Sequence, residues 1–550
     1  MQVASPNHPR RGLYISWWHD FGEGLAPHTF LIAALACIGG AISGYVAVGL
    51  LALINFITGV LFHGQFSFAA WTPADNHLGL WVILLPLIGA AAAGLVINYW
   101  EPSVRGHGIP EAMQAVTVEK SMVRKRVAIL KPTISALAIG SGGPFGAEGP
   151  IIQTGGAIGS LWAQLFHLSA YDRRVLLAAG AAAGMAGTFK APLTGVVVAI
   201  ELIVLEFRAR SIFPIALACA VADAVSIHYR GSGPMFPAPK FTLHSGHELW
   251  LFALLGIVSG LIAWAMTLAL SWIEDECGRL PFQPVAVWSP MLGALILGVI
   301  GYFYPRILGT SYSTITAMLN GKLSVAQMLH VSIAKFWGLV ISLGSGTTGG
   351  VFAPSLVIGG GFGFAFAVLW RHWLPGVGMS TPGLYALAAM GAVFGGIARA
   401  PLTAVVFMFE LSQNSKVVLP LLVCVVISDA VMRLVDSTSM MTEKIAKRGL
   451  YVSQDYVAPM FQLWNMQIDQ VMEPLPEPSV LAPLLQAPAR QASQEERIAP
   501  VAHRMLERGI PEVVVKNKAG QPIGVVKLAD ILALDDQRVR NHDLRERQMQ

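Results

Sequence analysis

Charge is scarce in this sequence of 550 residues: Asp, Glu, Lys and Arg together make up 13%, about half the roughly 25% of a soluble domain. That excludes an ordinary soluble enzyme, a secreted disulfide scaffold and a disordered regulator. Cysteine is sparse too. Cys37, Cys219, Cys277 and Cys424 lie far apart with no CxxC pair, so neither a metal cluster nor a redox motif is signalled. GK[ST] follows none of the glycine-rich stretches, no HExxH or GxSxG falls in an apolar segment, and His247-Glu248 lacks a second histidine. These absences argue against nucleotide phosphate chemistry and a membrane-embedded hydrolase. Neither cofactor nor metal is expected, and with no basic face free to meet it, nucleic acid is excluded as a partner.

Long apolar runs are what the sequence has instead. Hydrophobic residues make up 54% of it, and Gly24 to Ala74, Leu249 to Ile273, Leu280 to Pro305 and Phe336 to Trp370 carry no Asp, Glu, Lys or Arg. Each exceeds the roughly 20 residues that cross a bilayer. The pattern predicts an all-α polytopic membrane protein with lipid as its surroundings. Arg10 and Arg11 precede the first run, and Lys120, Arg124, Lys125, Arg126 and Lys131 crowd one connecting loop, which makes these segments cytoplasmic under the positive-inside rule. Residues 1–23 read as a cytoplasmic segment rather than a signal peptide, since no cleavage site follows a short apolar core. The membrane domain is expected over about 24–452, in a bacterial-type inner membrane. A cytoplasmic tail is expected over 453–550, where the last fifty residues hold nine Lys/Arg and seven Asp/Glu.

The apolar part repeats itself. Ala191-Pro192-Leu193-Thr194 returns as Ala400-Pro401-Leu402-Thr403, with Glu201-Leu202 matching Glu410-Leu411 at the same offset of 209. Gly140-Ser141-Gly142 returns as Gly344-Ser345-Gly346 at an offset of 204, continuing from Gly146 with Gly350 to Pro150 with Pro354. Two halves, about 24–230 and 246–452, suit a duplicated transporter or channel with its substrate between broken helices near the midplane.

Three stretches lead from glycine through proline into a helical pattern: Gly106-His107-Gly108-Ile109-Pro110-Glu111, Gly146-Ala147-Glu148-Gly149-Pro150 and Gly349-Gly350-Val351-Phe352-Ala353-Pro354. Proline suits the first turn of a helix, and glycine lets the backbone approach a ligand. Each reads as a helix start within or beside the membrane. Converging starts expose unpaired N–H groups and partial positive charge, making a site for a small anion without Lys or Arg. The alternative for any one stretch is close packing of helices by small residues. A cation-coupled carrier of organic substrates would instead show carboxylates and carbonyl-rich breaks at its centre.

The three stretches resemble the signature loops of the CLC family of chloride channels and proton-coupled chloride transporters, whose forms are GSGIPE, GREGP and GGxFxP; the APLTG run at 191–195 also belongs to the pattern. The resemblance implies a homodimer with one pathway per subunit for chloride and similar anions, built from two inverted halves. Glu148 falls at the position of the gating glutamate, blocking the path when ionised and leaving it when protonated or displaced. His107, Gly108, Ile109 and Pro110, then Gly146, Ala147, Gly149 and Pro150, then Gly350, Val351 and Phe352 fall on the anion-binding loops. Lys131 falls on a lysine beneath the pathway.

The chain departs from that pattern at four places. His107 replaces a serine, and an imidazole can donate as the hydroxyl does; a bystander histidine facing the inner vestibule is the open alternative. Ala147 replaces an arginine. Aligning a glycine of the last membrane helix with Gly449 brings Met441 to the position of the central tyrosine, which predicts an inner gate that is weaker or differently built, and Tyr451 is the substitute if the alignment slips. Leu202 stands where antiporters of the family carry an inner proton-relay glutamate. That predicts a passive, channel-like pathway; the alternative is proton-coupled exchange with water or Glu206 as relay, Glu206 lying four residues on and so on the same helical face. In the tail, Val471–Pro474, Gly509–Val515 and Gly524–Asp530 resemble one cystathionine-β-synthase (CBS) motif within about 468–536, in a small α/β tail. Asp530 is its nucleotide candidate, and a purely structural tail stays open.

Overall fold

The computed structural model describes residues 27–117, 119–279, 284–373, 378–436 and 438–447 and, in the tail, 468, 472–475, 490–496, 498–529 and 531. Arg10, Arg11, Gly449, Tyr451 and Asp530 lie outside the described residues.

The first half runs α1 (Pro27–Thr58), α2 (Leu85–Tyr99), α3 (Ile109–Thr117), α4 (Lys125–Gly140), α5 (Glu148–Leu165), α6 (Ala170–Phe189), α7 (Pro192–Val198) and α8 (Ala209–Arg230). The second repeats it as α9 (Leu249–Gly278), α10 (Val285–Phe303), α11 (Tyr312–Leu319), α12 (Val325–Gly344), α13 (Phe352–Trp373), α14 (Pro382–Ala398), α15 (Pro401–Ser412) and α16 (Val418–Val435), followed by the short α17 (Glu443–Lys447). Seven stretches among the described residues are long and apolar enough to cross a bilayer. Others, such as α14 and α15, are apolar but shorter. The chain is an integral membrane protein.

Equivalent sequence makes equivalent local structure. Lys190 and Arg399, 209 residues apart, both take the left-handed conformation, φ 55° and 52°, and end α6 and α14. Pro192 and Pro401 then open α7 and α15, as a residue without an N–H can at a first turn. Many glycines do serve packing. A Cβ on Gly155 or Gly180 would overlap the other's carbonyl where α5 meets α6, and one on Gly359 would overlap that of Ala389 where α13 meets α14. Large apolar side chains such as Leu31, Ile88, Leu261, Leu292 and Val426 point outward, exposed, as lipid-facing residues do.

In the tail, α18 (Ile498–Glu507) joins a sheet of order β1-β2-β3: β1 (Gln491–Ser493) is parallel to β2 (Glu512–Lys516), which is antiparallel to β3 (Pro522–Lys527). β2 begins directly after Pro511, and the turn at 517–521 is held by the Asn517 side chain, whose Oδ1 accepts the amides of Ala519 at 3.0 Å and Gln521 at 2.9 Å. Ile468, Ile498, Val501, Met505 and Val513 close its apolar core.

Candidate functional site

The three glycine-rich loops meet. Gly146 and Gly350, equivalent by the 204 offset, exchange two backbone hydrogen bonds of 2.9 Å in an antiparallel bridge. The Gly106 amide donates to the Thr347 carbonyl at 3.0 Å. The starts of α5 and α13 therefore face each other across the bridge, head to head, as inverted halves require. A Cβ on Gly146 or Gly350 would overlap the Glu148 carboxylate, so side chains are excluded there by space.

Glu148 opens α5 and reaches across to α13. Its Oε1 accepts the Phe352 amide at 2.6 Å and the Ala353 amide at 3.2 Å, while Oε2 has no protein partner, and the residue is 1% exposed. Both amides belong to the first turn of α13, which has no intrahelical acceptor for them. The carboxylate thus sits where an anion would be held. Phe352 contributes through its backbone; its ring packs against Phe189, Phe394 and Phe407, with the Phe407 centroid 4.8 Å away. Val351 and Ala147 are fully buried beside it, and Pro150 and Gly149 lie in the first turn of α5.

His107 is buried at 1% exposure rather than facing an open vestibule. Its carbonyl presses on Gly149, and Gly108, at φ +91°, presses on the Gly149 carbonyl. The Gly108 amide is not open to an anion: it donates to Glu111 Oε2 at 2.8 Å. The amides of Gly146 and Gly350 are likewise spent on each other. In this arrangement the three glycines bring the loops into close approach. Ile109 and Pro110 open α3, both buried.

Lys131 lies not in the basic loop but within α4, 0% exposed, its Nζ donating to the carbonyls of Val104 at 2.8 Å and Gly106 at 2.9 Å. Its counterpart lies one repeat further on. Lys335, 204 residues on, is also 0% exposed and donates to the carbonyls of Ile307 at 2.7 Å and Gly309 at 3.0 Å and to Ser311 Oγ at 2.8 Å. Each lysine braces the loop that leads into the short helix of its half, α3 or α11. The offset that paired the glycines was the available signal.

Met441 is buried in the turn before α17, the short helix that packs on α3. Leu202 is fully buried. Glu206 is not one turn further along its face. The chain passes from α7 into a π-turn over Ala199–Val204 and then into Leu205 at φ 57°, left-handed, which ends the helix. Glu206 instead accepts hydrogen bonds from Tyr171, at 3.1 Å, and Ser211. Tyr171 lies in the first turn of α6, whereas Phe189, whose ring packs on Phe352, ends that helix, a rise of about 27 Å between the two backbones.

A family profile described as voltage gated chloride channel matches residues 89–433. The chain is 28% identical over 411 residues to the H(+)/Cl(-) exchange transporter ClcA of Vibrio campbellii, covering 73% of this chain and 86% of that one. It is 30% identical over 356 residues to ClcA of Vibrio cholerae, covering 63% and 76%. Among solved structures, a slow cyanobacterial Cl-/H+ antiporter aligns with a TM-score of 0.66 at 26% identity over 77% of this chain and 99% of its own. A CLC-type fluoride/proton antiporter aligns at 0.61 and 20% identity over 75% and 97%, a likeness of fold alone. The chain belongs to the voltage gated chloride channel family, the CLC family.

Proposed function

We propose that this chain exchanges chloride for protons across a bacterial inner membrane, with Glu148 as the group that both ions share. The observation that carries the reading is the Glu148 carboxylate on the Phe352 and Ala353 amides: an ionised carboxylate competes with chloride for those donors, and a protonated one releases them. An uncompensated carboxylate in the membrane costs about 2.5–3.5 kcal/mol on insertion scales, and the start of α13 offsets that cost only while Glu148 stays in place. The relatives named as exchangers and antiporters support coupling over the passive pathway that Leu202 suggested. Phe352 and Ala353 hold the anion by their amides, with Val351, Ile109, Ala147 and Met441 lining its path. His107 stands in the inner loop. Water or Glu206 carries protons part of the way. The working unit is a homodimer with both termini cytoplasmic, and the tail is a CBS-like module with Asp530 as its nucleotide contact.

The test is purified protein in liposomes under an imposed chloride gradient, with external pH and chloride recorded together. Native protein drives protons uphill, and Glu148→Ala passes chloride without protons at a rate independent of pH. Chloride flow without proton movement in the native protein returns the channel reading.

A further inference from the structure

With a leucine at 202 and Glu206 held at Tyr171 near the start of α6, a titratable group nearer Glu148 would shorten the route of the proton. Glu111 is close. Its Oε2 holds the Gly108 amide at 2.8 Å, and Gly108 touches Gly149, the residue after Glu148, so tightly that a Cβ there would overlap the Gly149 carbonyl. One backbone contact therefore separates the loop that Glu111 caps from the residue next to the gate. On its other side Glu111 borders a cavity of about 590 Å³.

That cavity has water chemistry. Gln153 of α5 lines it, 6% exposed; its Nε2 donates to the Ser103 carbonyl at 2.8 Å, while its Oε1 is buried with no protein partner. A buried acceptor bordering a roomy cavity that also carries carboxylates and guanidinium groups is a site for water. The other charged groups around the cavity are Glu101, Glu119, Glu274, Arg105, Arg124 and Lys447. Glu101 is held by Arg124 at 3.4 Å and by Ser103, and Glu119 accepts from Gln114 at 2.9 Å. None of these caps the loop at the gate. Lys131 faces that loop from α4, on the Val104 and Gly106 carbonyls, and His107 adjoins it, buried.

We propose that Glu111 is the inner proton-transfer group of this chain, taking protons from water in the cavity and passing them toward Glu148 by way of His107 and intervening water. This rests on the exchange reading. In each cycle the Glu111 carboxylic acid gives up its proton and becomes a carboxylate. The Glu148 carboxylate gains one and lets go of the Phe352 and Ala353 amides, and Glu111 is reprotonated from the cavity. Glu148 then releases its proton to the opposite side and returns to the Phe352 and Ala353 amides, so each cycle carries one proton across and consumes no other reactant.

The experiment compares native protein with Glu111→Gln and Glu111→Asp in chloride-loaded liposomes, reading proton and chloride movement in the same vesicles. A glutamine oxygen still accepts the Gly108 amide, so Glu111→Gln keeps chloride flux within about threefold of native and loses proton movement at least about tenfold. Glu111→Asp keeps a titratable group and retains slowed coupling, which a merely structural cap would not produce. Native coupling with an equally coupled Glu111→Gln overturns the assignment and leaves exchange standing; no coupling in the native protein overturns both. Should Glu111→Gln fail to fold, Gln153→Leu takes its place. It removes the water acceptor from the cavity, and proton movement falls at least about threefold; an unchanged rate overturns the assignment.

Discussion

Glu201 and Glu410 each close the start of the other's helix. The Glu201 carboxylate accepts the amides of Leu402 at 3.1 Å and Thr403 at 2.7 Å, at the head of α15. The Glu410 carboxylate accepts those of Leu193 at 2.9 Å and Thr194 at 2.7 Å, at the head of α7. The two halves are joined by this reciprocal pair as they are by Gly146 and Gly350.

Hydrogen bonds from neutral donors to a charged acceptor contribute about 1.5–3 kcal/mol. Glu201→Ala and Glu410→Ala are therefore each expected to lower the melting temperature in detergent, Glu201→Ala more because that carboxylate is fully buried. A melting curve unchanged in Glu201→Ala would mean the amides find water or another acceptor.

Gly146→Ala places a methyl group into the Glu148 carboxylate. It is expected to displace the gate and to raise chloride flux at high pH, where the native carboxylate competes best. In a Glu148→Ala background the same change should have little effect, because the group it strikes is gone. Equal effects of Gly146→Ala in both backgrounds would place the damage in the glycine bridge itself.

Lys131→Met and Lys335→Met leave buried carbonyls without their donor, two in each case. At about 1–3 kcal/mol for an orphaned buried group, each change is expected to cost about 3 kcal/mol of stability, read by thermal melting. Chloride affinity measured by calorimetry should fall as well, since each lysine braces a loop that feeds a short helix near the path. Native affinity in both variants would reduce the lysines to structural braces alone.

ATP or AMP at millimolar concentration is expected to raise the melting temperature of the native protein, and Asp530→Ala to remove the rise, since a ligand stabilises the state it binds. No shift with either nucleotide leaves the tail as a structural element.

Helix starts were legible because glycine followed by proline is a local signal, and Glu148 was legible because it stands inside one. The Glu206 relay was not, since period alone assumed an unbroken helix through Leu205, and a π-turn closed by a left-handed residue leaves no hydrophobic periodicity to read. Lys335 was hidden among apolar neighbours, visible only by carrying the 204 offset nine residues back from Gly344. Glu111 looked like the tail of a glycine motif, because its closeness to a cavity and to Gly149 depends on how α3, α5 and the loop at 101–105 pack. The clasp of Glu201 with Thr403 spans about two hundred residues of chain, beyond any local pattern.

The pairing of Glu148 with Phe352 and Ala353 also sets a clock on biosynthesis. At about 5–20 residues per second, the ribosome needs roughly 10–40 seconds to travel from the gate glutamate to the amides that receive it. During that interval the first half sits in the membrane with a carboxylate that has no helix to rest on and a glycine loop that has no opposite strand. The nascent chain must hold that carboxylate protonated, or keep it in water at the translocon, until the second half arrives. A chain stopped before residue 350 therefore carries the Glu148 carboxylate without the amides that receive it in the finished protein.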